Sequence, residues 1–190
     1  MDTFKIHLDK FIGITEEEYV SVLSFFQTME VKKKQELMLE GEVCKSMYFV
    51  VKGCLRKFFI NEKGVEQTTE FAIENWWITD TFAYERQMKS DFCIQAVERS
   101  TILVIDFPTQ ELLLQKYPVM ERYFRMIYQR AYAASERRIR FLYEMSREEL
   151  YVHFSTQYPD FNQRIPQYLI ASYLGFTPEY LSEIRAKLRS

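Results

Sequence analysis

The residues best equipped to meet a nucleic acid are crowded between Thr177 and Arg189. Thr177, Glu179, Tyr180, Ser182 and Glu183 offer hydroxyls and carboxylates along what would be the leading face of a short helix, and Arg185, Lys187 and Arg189 trail behind them. Glu179 could accept from a cytosine amino group, and Thr177 or Tyr180 could touch a base or a phosphate. The three cations are suited to phosphate oxygens, which position a protein on a duplex without reading its sequence. Between Glu183 and Arg189 there are three positive charges against one negative.

The elements that must hold these residues are legible just upstream. Phe161 to Leu174 reads as a short helix, Gly175 as a turn, and Thr177-Pro178 as the cap and first position of a second helix. Ala171 is small where the second helix must cross closely, and Gly175 can take the left-handed backbone a tight turn requires. Leu181 and Ile184 are spaced to face the first helix. This is the grammar of a helix-turn-helix, whose second helix is ordinarily laid in the major groove.

Upstream, Thr15-Glu16-Glu17-Glu18 is a capping box that opens a helix carrying Tyr19, Val22, Leu23 and Phe26. From about Val31 to Phe107 the pattern changes to short strands. Met47–Val51 and Leu55–Ile60 are followed by the turn Asn61-Glu62-Lys63-Gly64, a returning strand from Glu66 to Ile73, and strands at Phe92–Val97 and Thr101–Phe107. Strands this short and closely spaced predict a small sandwich or barrel. Pro118 then starts a long helix. Met120, Phe124, Ile127, Ala131, Ala134, Arg138, Phe141 and Met145 recur along it with gaps alternating four and three, the spacing of a coiled-coil seam. From Val119 to Met145 it would span about 40 Å. A helix packed on its own barrel would explain some of this; a two-fold helix pair joining two subunits explains the whole stripe. Arg138 interrupts the seam and is expected to reach a carboxylate or the rim. Ser146-Arg147-Glu148-Glu149 opens a further helix, and Tyr158-Pro159 breaks it.

The bulk composition narrows the classes. Of 190 residues, 47% are hydrophobic and 16% aromatic, enough for one large core and a small one, and five glycines with five prolines leave no long flexible linker. A net charge of −2 is unlike a constitutive nucleic-acid coat protein but compatible with a regulator, which needs positive field only locally. No apolar run is long enough to span a membrane and no secretory signal pattern opens the chain, so a cytoplasmic protein without membrane partners is expected. Cys44, Cys54 and Cys93 lack metal-ligand spacing, and His7 and His153 are far apart. No metal or cofactor is expected: three scattered cysteines cannot hold a four-thiolate iron–sulfur cluster, and nothing selects haem.

The order of elements resembles the cyclic-AMP receptor/FNR superfamily of bacterial transcription regulators. The resemblance rests on Glu40-Gly41-Glu42, Tyr48-Phe49-Val50-Val51-Lys52-Gly53, the hairpin ending at Gly64, Phe71–Asp80, Phe92–Ala96 and Ala171–Ile184. It implies an α+β chain in three parts. These are a cyclic-nucleotide-binding-like β-roll (a double-stranded β-helix of cupin-like form) over 1–118, a long dimerisation helix over 119–145, and a helix-turn-helix DNA-binding domain over 146–190. Double-stranded DNA, a second copy of the chain and RNA polymerase are the partners it implies. In nucleotide-binding members a Gly-Glu pair meets the ribose and an Arg-Ser pair holds the cyclic phosphate. The matching register here puts Thr79 and Asp80 at the first pair, and Ser90 and Asp91 at the second.

An arginine clamps phosphate bidentately, whereas Asp91 would oppose it, by about 4 kcal/mol for unit charges ~4 Å apart at an effective dielectric of 20. Useful affinity for cyclic AMP is therefore not expected. Arg86 and Lys89 are the loop cations that could compensate. Trp76, Trp77, Phe82, Tyr84 and Phe92 could line an apolar effector pocket or serve as plain core. Known members also carry arginines where this chain has Pro178 and Glu183, so their guanine readout does not carry over. Two rivals remain: a non-DNA interaction module of the same fold, and a barrel enzyme, which two distant histidines disfavour.

Overall fold

The structure, a computed structural model, describes residues 3–188. Arg189, one of the expected phosphate contacts, lies outside the described residues. The chain divides into two compact units: one contains the chain up to Phe59 with Thr69–Tyr128, the other Ile60–Thr68 with the chain from Gln129 onward. The division falls inside the long helix rather than at either of its ends.

The first unit opens on α1 (Thr3–Asp9), an element the sequence reading did not foresee, and α2 (Glu16–Leu23). The capping box forms as expected. Glu18 N donates to Thr15 Oγ1 at 3.2 Å and Thr15 N donates to Glu18 Oε2 at 2.8 Å, occupying donors that a helix start leaves open. Among the described residues eight strands follow in the chain: β1 (Gln27–Val31), β2 (Glu36–Met38), β3 (Ser46–Lys52), β4 (Leu55–Ile60), β5 (Glu66–Ala72), β6 (Trp77–Ile78), β7 (Cys93–Ala96) and β8 (Ser100–Asp106). They form two antiparallel sheets, ordered β1-β8-β3-β6 and β2-β7-β4-β5. In register, Phe49 opposes Leu103 and Trp77, and Lys57 opposes Ile94.

Strand β3 is apolar almost throughout because both its faces are covered. Phe49 turns toward α1, its ring 4.9 Å from Phe4, while Tyr48 points across the roll, its hydroxyl donating to Leu37 O at 3.0 Å. Gly53, which follows this strand, is fixed by sterics: at φ 108° a Cβ would lie 2.1 Å from Ser100 Oγ. That contact is why the Val51-Lys52-Gly53 step cannot tolerate a side chain at its last position.

Between β6 and β7 lies α3 (Thr81–Arg86), and α4 (Phe107–Lys116) follows β8 with Asp106 as its cap. The long helix α5 (Val119–Glu144) begins with Met120, Tyr123 and Phe124 buried. In the second unit come α6 (Arg147–Gln157), capped reciprocally by Ser146 and Glu149, then α7 (Pro159–Arg164), α8 (Gln167–Leu174) and α9 (Pro178–Lys187). The stretch expected as one helix from Phe161 to Leu174 is thus two. Ile165 is extended (φ −97°, ψ 131°) ahead of Pro166, which disfavours helical backbone in its predecessor. Among the described residues no helix is long and apolar enough to cross a membrane.

Candidate functional site

The joint between α8 and α9 explains how the carboxy-terminal residues are presented. Gly175 adopts φ 76°, Phe176 N donates to Ala171 O at 2.8 Å and Gly175 N donates to Ser172 O at 3.2 Å. These paired bonds close the end of α8 and turn the chain sharply. Thr177 then caps α9, accepting from Tyr180 N at 3.2 Å, with Pro178 in the first turn. Leu181 and Ile184 are 1% and 3% exposed, and burial of each is worth about 1.5–3 kcal/mol.

What remains outside is the face the sequence assigned: Thr177, Glu179, Ser182, Glu183 and Lys187 are exposed, and Tyr180 and Arg185 half-buried. Two of these are already engaged within the unit. The Tyr180 ring stands edge-on to Phe176 at 5.6 Å with the Arg147 guanidinium 5.3 Å from its centre. Lys187 Nζ lies 2.7 Å from Glu148 Oε1, a contact that raises the lysine above its ordinary pKa, but an exposed pair of this kind yields to salt or to a competing phosphate.

Arg138, expected at a carboxylate or the rim, engages Tyr173. It donates to Tyr173 O at 2.8 Å and stacks 3.9 Å from the centre of that ring, inside its own unit. Phe141 likewise packs at 4.4 Å on His153. Ser172, which no motif singles out, accepts from Thr68 N and donates to Glu66 O, both at 2.8 Å, and Gln67 Nε2 donates to its carbonyl. A serine on an amphipathic helix carries no pattern that would announce such a bond.

At the end of the roll the residues that resemblance assigned to an effector do not converge as a set. Thr79, Asp80 and Ser90 come together, all three buried. Asp80 caps α3, accepting from Ala83 N at 3.2 Å through Oδ1, and Oδ2 accepts from Ser90 Oγ at 2.7 Å. Ser90 Oγ in turn accepts from Phe92 N at 3.0 Å. Thr79 Oγ1 donates to Ser46 O at 3.0 Å and meets Cys44 Sγ at 3.3 Å, and burial pushes that thiol above its ordinary pKa.

Asp91 stays at the surface, so the carboxylate in the roll is that of Asp80. Trp77 faces the other way, into an aromatic cluster with Phe49, Phe124 and Tyr123. Phe92 sits 6.2 Å from Phe59. Arg86 stacks on the exposed Phe82 ring at 3.9 Å, and Lys89 is exposed. The cation that does enter is Lys57, unremarked in the sequence: its Nζ donates to Thr79 O at 2.9 Å and pairs with Glu70 at 2.7 Å. It was hidden as one basic residue in an alternating strand. A cleft of about 360 Å³ lies elsewhere in this unit, lined by Phe25, Phe26, Gln27, Ser46 and Asp106 among others.

Of the expected seam, Met120 and Phe124 are 0% and 4% exposed within the first unit and Ile127 packs against its core, whereas Ala131 and Ala134 are exposed.

Comparison with known proteins supplies the context for this arrangement. The cyclic nucleotide-binding domain family matches residues 28–117. Over 172 residues the chain is 27% identical to the regulatory protein HlyX of Actinobacillus pleuropneumoniae, covering 84% of this chain and 70% of that protein. It is 25% identical over 174 residues to an anaerobic regulatory protein of Pasteurella multocida, covering 84% of this chain and 62% of the relative. Among solved structures, FixK2 from Bradyrhizobium japonicum superposes with a TM-score of 0.71 at 17% identity, over 86% of this chain and 84% of that one. A CooA mutant from Carboxydothermus hydrogenoformans gives 0.69 at 17% identity, over 94% and 86%. Roll, long helix and terminal helix pair are therefore shared in fold with these solved structures, and residues 28–117 match the cyclic nucleotide-binding domain family.

Proposed function

We propose that this protein is a dimeric DNA-binding transcription regulator in which α9 reads the major groove, α5 joins two copies, and the roll does not bind cyclic AMP. The observation that carries the reading is the helix pair itself. Its buried side secures α9 on α8, and its other side leaves Thr177, Glu179, Ser182 and Glu183 exposed at the end a groove would meet. Arg185 and Lys187 supply phosphate contacts, Lys187 by leaving Glu148. Fluorescence anisotropy with duplex from the protein's own upstream region, across a salt series, tests this; binding that is absent at low salt sinks it.

The dimer reading takes a different stripe from the one the sequence suggested. With Met120 and Phe124 spent on the roll, and Arg138 and Phe141 on their own unit, the exposed side of α5 carries Tyr132, Ile139 and Leu142 at 67%, 53% and 50% exposure. With the exposed Ser135 these alternate by three and four, a seam one residue along from the first. Sedimentation should find a dimer that Ile139→Asp converts to monomer. A parent protein that sediments as a monomer at tens of micromolar removes the two-fold reading.

Asp80 and Lys57 support the absence of cyclic AMP binding. The carboxylate already takes the donors at the start of α3, and the ammonium is neutralised by Glu70, so an entering phosphate would have to displace both. Calorimetric binding of cyclic AMP at micromolar concentration would refute it.

A further inference from the structure

Beside the outward face of α9 the fold sets the start of α6, which lies outside the helix-turn-helix motif. Arg147 is the first residue of α6, and its guanidinium is 5.3 Å from the centre of the Tyr180 ring on α9. The next residue, Glu148, meets Lys187 of α9 at 2.7 Å. Tyr180 and Lys187 are seven residues apart, so they share one side of α9, about 10 Å from each other along its axis. The start of α6 therefore borders that side, next to the exposed Glu179, Ser182 and Glu183.

The acids of this helix start are already engaged. Glu148 holds Lys187, and Glu149 accepts from Ser146 N at 2.8 Å as half of the capping box. Arg147 has no such tie: it is exposed, and among the described residues no carboxylate pairs with it. Nor does it serve its own helix, because a cation in the first turn opposes the helix dipole. What steadies it is the Tyr180 ring, which stands edge-on to Phe176 at 5.6 Å and so fixes this shelf to the joint between α8 and α9.

We propose that Arg147 contacts a DNA phosphate, and that Tyr180 is the positioning residue that holds its guanidinium beside α9. This role rests on the regulator reading, with α9 in the major groove. A helix seated there has a sugar–phosphate backbone on either flank, and the flank bordered by α6 presents Arg147. A guanidinium can stack its face on an aromatic ring and still offer N–H groups at its edge, two of which match two phosphate oxygens. Lys187 must leave Glu148 to reach a phosphate, whereas Arg147 has no carboxylate to release. Tyr180 then acts through Arg147 rather than on a base.

Anisotropy across a salt series, with the duplex from the protein's own upstream region and a scrambled one of equal length, tests both roles. Arg147→Ala should weaken both duplexes on the order of tenfold and reduce the slope of log K against log salt by about one for each protomer bound. Its urea midpoint should match the parent's. Arg147→Lys should keep most of the slope, because the charge remains, but not the full affinity. Tyr180→Phe, which keeps the ring, should bind within about twofold of the parent, and Tyr180→Leu should lose about what Arg147→Ala loses. If the parent binds and Arg147→Ala matches it in affinity and slope, the contact is overturned while the regulator reading stands. A loss confined to the upstream duplex would make Arg147 a base reader and overturn the contact equally. Tyr180→Phe weakened tenfold would put the hydroxyl on the DNA and overturn the positioning role. If the parent binds neither duplex at low salt, the regulator reading fails and both roles fail with it. Should Tyr180→Leu not fold, the Arg147 variants and Tyr180→Phe decide.

Discussion

The end of the roll and the outer face of α9 both gather hydroxyls, carboxylates and cations, yet they have opposite physical states. At the roll end the groups satisfy one another: Asp80 holds Ser90 and the start of α3, Thr79 holds Ser46, and Lys57 lies between Thr79 and Glu70. On α9, Glu179, Ser182 and Glu183 stand in solvent. Buried polar groups must be paired within the protein, so a finished network there speaks for structure. Exposed groups have water as their reference and can exchange it for a partner. Similar side chains thus mark a closed end in one place and an open surface in the other.

The largest effect that would test this contrast is chemical. If the roll end is closed, Cys44 should react with a thiol reagent on the order of 10³-fold more slowly in the folded protein than in urea, because reaction awaits opening. Burial raises the thiol pKa, so the folded rate should climb with pH beyond the point where a free cysteine levels off. Rapid labelling at pH 8.5 would mean an open cavity and break the comparison.

Next in size is Asp80→Ala. Loss of the α3 cap together with the charge-assisted bond from the buried Ser90 hydroxyl, which would keep only its longer contact to Phe92 O at 3.3 Å, should cost roughly 2–4 kcal/mol, read as a lower urea midpoint with unchanged slope. Arg185→Ala combined with Lys187→Ala should leave the urea midpoint alone. It should weaken duplex binding at least tenfold and flatten the dependence of log K on log salt by about two for each protomer bound. Smallest in stability is Glu179→Ala, expected within ~0.5 kcal/mol of the parent, with its effect confined to which duplex is preferred. If Glu179→Ala unfolds as Asp80→Ala does, the two regions are not different in kind.

Much of the architecture was local enough to read. The Thr15 and Ser146 capping boxes, the Asn61–Gly64 turn, the strand ending before Gly53 and the Gly175–Thr177 joint each depend on a few neighbouring residues. The outward set on α9 followed from helical spacing alone, because facing residues there are three and four apart. Elements with weak local signals escaped: α1 lacks a patterned start, and β6 is two residues long.

Tertiary structure decided everything that depended on a distant partner. Whether Trp77 lines a pocket or joins Tyr123, whether Asp80 or Asp91 enters the roll, and which stripe of α5 stays exposed all turn on residues tens of positions away in the chain. Periodicity states that a helix has an apolar side, but an apolar side fits a neighbouring sheet as well as a second helix. The hydrophobic effect is non-directional, so only the packed arrangement assigns Met120 and Phe124 to the roll and leaves Ile139 and Leu142 in water.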